Sequence, residues 1–488
     1  MKRRGWLVIP KNAQLHLFTI HNRHFAFDVG SGSLHALDEN AWQVLSLLNE
    51  GYSAEQIKEL LANRLPAVAQ VLAEVKTLQA DQQLFVPDRL AETGWHQQAT
   101  PLKALCLHVA HDCNLRCTYC FAGKGGYGGP RGLMSPEIAC RAIDYLIEHS
   151  AQRRLLDVDF FGGEPLLNIA AVAAAVRYAR RLESQRGKRF HFTLTTNGTL
   201  FTDENIAFLQ DNDIDLVVSL DGRPQVHDRH RVDKAGRGTH ARVVAGLQRL
   251  AKRIPPERFI VRGTFTRHNL DFTDDVAYFL AQGWTNLSLE PVVGDPSDCA
   301  SLTEEHIPDI GAEYERLAEF FVQEHLAGRP FSFFHFRLDL AKGPCLARRL
   351  TGCSAGHQYL AVAPDGSLYP CHQFVEQHAY SLGHVERRGA DPALGEQFRA
   401  AHVYRKQACR TCWARFYCSG GCHANNLRFS GSLLGVHELV CALQKKRLEC
   451  ALWVRANLTE NGFDNLASES EREINCQKRN EKHLFAEC

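Results

Sequence analysis

The chain has 488 residues, 45% of them apolar and 23% charged, with 56 basic against 55 acidic side chains for a formal net charge of +1. That length suggests roughly three to four domains with sizeable cores, and the balanced charge supplies no global field to attract nucleic acid or a membrane surface. No run of eighteen apolar residues occurs and Pro10 interrupts the N-terminal apolar stretch, so the expectation is a soluble, cytoplasmic protein with no nucleic-acid and no membrane partner; of its seventeen cysteines, eleven fall into two ordered groups that suit metal or catalytic chemistry rather than disulfides, and Cys106, Cys140, Cys299, Cys450, Cys476 and Cys488 read as ordinary buried or surface residues.

Residues 14–36 alternate apolar and polar in short runs, Leu15-His-Leu-Phe-Thr-Ile20 and then Phe25-Ala-Phe-Asp-Val29, and predict antiparallel strands. Helical patterns follow from Asp38 through Leu48, from Ser53, which with Gln56 has the spacing of a capping box, and from about 66 to 79. A polar stretch with two prolines, 87–101, reads as a connection. A strand pair feeding three small helices resembles the winged-helix, PqqD-like peptide-recognition domain, which implies capture of a leader peptide as an added strand. A DNA-binding winged helix or plain packing is the alternative.

Beyond the connection, apolar strand candidates at 104–110, 155–161, 190–196, 215–220, 259–266 and 286–293 alternate with helical stretches at 135–149, 168–183, 203–211, 240–252, 271–282 and 303–327. Six β/α units predict a parallel sheet covered on both faces, with chemistry at the carboxyl ends of its strands. The segments there are distinctive. After the first strand stands His111-Asp-Cys-Asn-Leu-Arg-Cys-Thr-Tyr-Cys-Phe121, in which Cys113, Cys117 and Cys120 are spaced C-x3-C-x2-C. Three thiolates take three corners of a cubane iron–sulfur cluster and leave one iron open, whereas four would saturate it. Phe161-Gly-Gly-Glu-Pro165 follows the second strand, where glycines admit a ligand close to the backbone. Thr195-Thr-Asn-Gly198, Ser219-Leu-Asp-Gly222 and Glu290-Pro-Val-Val-Gly294 end the third, fourth and sixth, and Arg262 lies on the fifth.

A second cysteine field begins at Cys345. Cys353, Gly366 and Cys371 make C-x12-G-x4-C, then Cys409, Cys412, Cys418 and Cys422 make C-x2-C-x5-C-x3-C, and Cys441 follows. These eight thiols are enough for two sites of four ligands, and zinc is the alternative to iron–sulfur.

In this order the motifs resemble the radical S-adenosylmethionine (SAM) superfamily with a SPASM extension. The wording of 108–122, 159–166, 369–374 and 412–422 is most similar to maturases of SCIFF peptides, which form thioethers from cysteine sulfur. The resemblance implies an α/β fold: a partial (β/α)6 barrel at 102–330, an N-terminal peptide-recognition domain at 1–90, a linker at 91–101, a SPASM domain at 331–455 and a polar tail at 456–488. It implies a SAM-binding [4Fe-4S] cluster on Cys113, Cys117 and Cys120. Contacts to SAM would come from Tyr119, Phe121, Gly162, Gly163, Glu164, Asn197, Ser219, Asp221, Arg262 and Val292. Two auxiliary [4Fe-4S] clusters would be held, one by Cys409, Cys412, Cys418 and Cys441, the other by Cys353, Cys371 and Cys422 with Cys345 as its possible fourth ligand. The implied reaction is hydrogen abstraction by a 5′-deoxyadenosyl radical and sulfur–carbon bond formation in a Cys-rich precursor peptide with a leader, with electrons from an external donor of flavodoxin or ferredoxin type. The anaerobic sulfatase maturases share these motifs but form formylglycine, and place an acidic base directly after the cysteine matching Cys371, where this chain has His372; a non-catalytic electron-transfer protein is the remaining alternative.

Overall fold

A computed structural model describes residues 9–10, 12–93, 100–338, 340, 346–387 and 389–463. Strands β1 (Leu15–Ile20), β2 (Arg23–Asp28) and β3 (Leu34–Leu37) form an antiparallel sheet in that order, one strand more than the pair read from the sequence. Helices α1 (Glu39–Asn49), α2 (Ala54–Leu60) and α3 (Leu65–Ala80) follow. Asp38 caps α1, and Ser53 and Gln56 close the expected capping box on α2. The two-residue period of β2 has two destinations: Ala26 packs with Val44, Leu45 and Leu72 under the helices, while Phe25 and Phe27 join the main core. This sheet is therefore covered on both faces.

The second cover comes from the far end of the chain. His16 stacks on Trp413 at 3.8 Å, and Arg23 donates to Asn457. Asp88, in the stretch read as a connection, is 6% exposed and pairs with Arg415 (3% exposed) at 2.8 Å. It also accepts from the Tyr404 hydroxyl at 2.8 Å, and Arg415 donates in turn to the Cys412 carbonyl. A short helix α4 (Arg89–Thr93) follows; the rest of the predicted linker, 94–99, lies outside the described residues.

The main sheet is built from β4 (Ala104–Ala110), β5 (Leu155–Gly162), β6 (Arg189–Thr196), β7 (Ile214–Ser219), β8 (Phe259–Phe265) and β9 (Asn286–Pro291), each parallel to the one before. Between and after them run α5 (Pro136–His149), α6 (Ile169–Arg186), α7 (Asp203–Asp211), α8 (Pro224–His230), α9 (His240–Leu250), α10 (Phe272–Ala281) and α11 (Ile307–Leu326). Every residue of β4 is buried, which is why it reads as an unbroken apolar run. The sheet does not stop at six strands. A short parallel β10 (Ser332–Phe333) adds at the β9 edge, beyond the expected boundary at 330. At the other edge β11 (Tyr359–Val362) pairs parallel with β4, and β12 (Ser367–Tyr369) and β13 (Gly383–His384) continue antiparallel.

The Cys-rich region continues through α12 (Leu346–Thr351), α13 (Pro392–Ala400), α14 (Gln407–Arg410), α15 (Arg415–Cys418), α16 (His423–Ser430) and α17 (Glu438–Glu460). The predicted tail begins too early, since Leu458 of α17 is fully buried in the main core; residues 464–488, with Cys476 and Cys488, lie outside the described residues. Among the described residues, no helix is long and apolar enough to cross a membrane.

Breaking one partner of a buried ion pair strands the other charge, at a cost of about 3–5 kcal/mol. Asp88→Ala is therefore expected to undock the N-terminal sheet. Hydrogen exchange should rise in Leu15–Ile20 and Arg415–Cys418 and stay unchanged in Leu155–Gly162; equal exchange in all three would contradict this role of Asp88.

Candidate active site at the carboxyl ends of the barrel strands

The loop after β4 carries Cys113, Cys117 and Cys120 and is hung on the segment after α8. Arg116 N–H donates to the Val232 carbonyl at 2.7 Å and Thr118 N–H to that of His230 at 3.0 Å. Helix α8, unforeseen in the sequence, supplies this anchor. The three sulfurs lie close enough to act electrostatically on one another, and burial pushes the Cys113 thiol up to about 11 and that of Cys117 to about 12. Cys113 sulfur accepts from the Leu115 N–H at 3.4 Å and the Asn197 amide at 3.7 Å.

The Gly-Gly-Glu segment presses directly on this loop. Gly163 N–H donates to the Ala110 carbonyl at 2.8 Å and Glu164 N–H to that of Asp112 at 3.0 Å. A Cβ on Gly162 would stand 2.3 Å from the Ala110 oxygen, and one on Gly163 2.2 Å from that of Asp112. Glycine is required here by close approach, and at Gly162 also by a φ of +127°.

Glu164 is fully buried and its carboxylate faces protein. It accepts from Leu166 N–H (3.0 Å), the Thr196 hydroxyl (2.8 Å) and Asn197 N–H (2.8 Å), joining the ends of β5 and β6. Burial raises its pKa to about 7, and those donors pull the other way. Asn197 in turn donates to Asn114 at 2.8 Å and accepts from Thr199, whose hydroxyl accepts from Asn114. The Glu164 and Asn197 side chains thereby position the Cys113 loop against the ends of β5 and β6. Asp221 is also held by its neighbours. It is 1% exposed and accepts from the Tyr119 hydroxyl, Arg231 Nε (3.0 Å) and Thr264 N–H (3.1 Å), so it fixes Tyr119.

Other predicted residues remain open to the mouth. Ser219 and Arg262 are register partners on β7 and β8, and the exposed Arg262 lies close enough to act electrostatically on Glu290 and His372. Thr118, Tyr119 and Val292 line one small cavity with Gly294 and Ser301. Phe121 is half exposed and meets His372 edge-on at 5.8 Å between ring centroids; Phe161 meets it at 5.0 Å. Burial, with Arg262 adding, lowers the His372 pKa to about 4, so this imidazole is neutral near pH 7.

The second cysteine field also assembles into two sets. Cys409, Cys412, Cys418 and Cys441 act electrostatically on one another, and burial raises Cys409 to about 11 and Cys441 to about 12. Cys353, Cys371 and Cys422 make the other set, and burial pushes Cys371 far above the usual thiol range. Cys345 lies outside the described residues. Thiols raised by burial give up their protons readily only when a cationic centre binds the sulfur, so this donor set fits metal clusters. No three His, Cys, Asp or Glu side chains among the described residues converge as a single ion requires; a cubane instead takes each cysteine on a separate iron. Asn114 and Thr196 lie inside quoted motifs and Thr199 and Arg231 outside them, but no spacing signal tells which polar residue beside a motif binds another across strands.

Residues 107–273 match the model of the radical SAM superfamily and 353–413 that of the SPASM iron–sulfur cluster-binding domain. The cysteine-type anaerobic sulfatase-maturating enzyme of Clostridium novyi is 23% identical over 343 residues, covering 66% of this chain and 88% of its own. The serine-type enzyme of Bacteroides thetaiotaomicron is 31% identical over 161 residues, 32% of this chain and 37% of its own. The radical SAM cyclopropyl synthase TigE of Paramaledivibacter caminithermalis is 23% identical over 285 residues, 55% and 57% of the two chains. In fold, the structure of anSMEcpe with bound AdoMet superposes with a TM-score of 0.63 at 22% identity, over 74% of this chain and 96% of its own.

Gly163→Ala is expected to push the cysteine loop off β5 and lower the iron of the reconstituted protein by about four atoms per chain. Gly132→Ala, whose Cβ meets nothing within 4 Å, should leave it unchanged. Equal iron in the two variants would contradict the contact's importance.

Proposed function

Since this chain joins a radical SAM domain to a SPASM domain, and so uses SAM and a [4Fe-4S] cluster, we propose that it is a peptide maturase that forms cysteine-derived thioethers in a Cys-rich precursor. Cys113, Cys117 and Cys120 hold the SAM cluster. Cys409, Cys412, Cys418 and Cys441 hold one auxiliary cluster, and Cys353, Cys371 and Cys422 hold the other, with Cys345 as candidate fourth ligand. Bound together, SAM and the reduced cluster supply a 5′-deoxyadenosyl radical, with the electron from a flavodoxin- or ferredoxin-type donor.

The chain's own residues prepare that chemistry. The Gly162–Gly163 backbone leaves room for a ligand beside the thiols, and Glu164, through Asn197 and Asn114, holds the Cys113 loop against β6. Ser219 and the exposed Arg262 guanidinium face the mouth and suit a carboxylate. Tyr119, fixed by Asp221, and Val292 flank the cavity that suits the adenine. His372, neutral near pH 7, suits a hydrogen bond from a substrate thiol.

His372 is the observation that carries the thioether reading, since it stands where the resemblance to formylglycine-forming enzymes calls for an acidic base. The N-terminal sheet docked on the 411–417 loop adds to it, as a PqqD-like module there would hold a leader peptide beside the Cys-rich domain. A second reading, formylglycine formation, is favoured by two of the named relatives, which are sulfatase-maturating enzymes.

Incubation with SAM, dithionite and a Cys-rich peptide encoded beside the gene tests the two. The thioether reading predicts 5′-deoxyadenosine and a peptide lighter by two hydrogens per modified cysteine, resistant to thiol alkylation and inert to hydrazide. A hydrazide-reactive aldehyde would overturn it in favour of formylglycine. His372→Ala should slow crosslinking with SAM binding retained, and a loss of both would contradict a role of His372 in placing the substrate thiol.

A further inference from the structure

Between the two auxiliary cysteine sets lies a buried lysine that no motif accounts for. Lys406 has 0% exposure, and none of the described carboxylates pairs with it. Its ammonium donates to the Gly420 carbonyl at 2.8 Å. Gly420 is the midpoint of the loop from Cys418 to Cys422, the shortest connection between a thiol of one set and a thiol of the other. The same carbonyl accepts from the buried Asn426 amide at 2.9 Å, and Asn426 Oδ1 accepts from the His437 N–H just before α17, the helix bearing Cys441. At its other end the Lys406 carbonyl accepts from Cys409 N–H at 2.9 Å. One residue is thereby tied to the backbone around Cys409, Cys418 and Cys422; burial lowers the Lys406 pKa, and the sulfurs of Cys409, Cys418, Cys422 and Cys441 lie close enough to oppose that shift.

A buried ammonium without a carboxylate needs negative charge nearby. A cubane cluster with its thiolates is anionic and gains one more negative charge on reduction. In a low-dielectric interior a fixed cation stabilises the reduced form more than the oxidised one, and so raises the reduction potential. We propose that Lys406 is the shared counter-charge of the two auxiliary clusters, holding both potentials up and pinning the loop that links them. This rests on the reading that both cysteine sets hold iron–sulfur clusters.

The test uses the full chain with Cys113, Cys117 and Cys120 all changed to Ala, so that only auxiliary clusters remain, reconstituted anaerobically and titrated with dithionite under EPR. Iron analysis comes first, and about eight irons per chain are expected; about four or none would sink the two-cluster reading itself, whatever Lys406 does. With iron intact, Lys406→Gln, which keeps a donor and loses the charge, should shift both midpoint potentials to more negative values. Lys406→Arg should keep them near those of the parent. Unchanged potentials in Lys406→Gln, or a shift in only one cluster, would overturn the shared counter-charge. So would loss of iron in the Arg and Gln variants alike, which would leave Lys406 a structural pin.

Discussion

The structure depends on the contact between two backbones, at the ends of β4 and β5. Gly162 and Gly163 lie so close to the Ala110 and Asp112 carbonyls that no side chain fits between them. Glu164, the next residue, buries its carboxylate and spends it on Thr196 and Asn197 at the end of β6. Three strand ends are thereby locked into one surface, and the thiols of Cys113, Cys117 and Cys120 are presented from it. An unpaired buried carboxylate would be costly, but this one is satisfied by three donors.

The same strand that feeds this surface also ties it to the rest of the chain. β4 has β5 on one side and β11 on the other, so the Cys113 loop and the region bearing Cys353 and Cys371 grow from adjacent strands. His372 reaches Phe121 and Phe161 because of that pairing. The N-terminal sheet is attached at the opposite end of the Cys-rich region, through Asp88, Arg415 and the His16–Trp413 stack. Modules separated by more than three hundred residues share one core through these contacts.

Much of this was legible in the sequence, for identifiable reasons. Strands buried on both faces must be apolar throughout, and β4 to β9 fall within a few residues of their predicted positions. The Ser53 capping box and the Asp38 start of α1 are local chemistry and are readable as such. What could not be read depends on partners distant in sequence. β11 is four residues long and gains its place by pairing with β4 on one side and β12 on the other. Asp88 resembles a linker residue until Arg415, far along the chain, is brought beside it. Asn197 and Asp221 stand at the ends of the right strands, yet their side chains are taken up by Asn114, Thr199, Tyr119 and Arg231, an outcome that motif order cannot convey.

The central claim is that three cysteines hold a cluster whose remaining iron is open to SAM. Electron–nuclear double resonance on the dithionite-reduced protein, with SAM carrying a ¹⁵N label at its amino group, tests it most directly. The account predicts a nitrogen coupling to the cluster that disappears in Cys117→Ala. A reduced-cluster spectrum that shows no such coupling and does not change when SAM is added would contradict it.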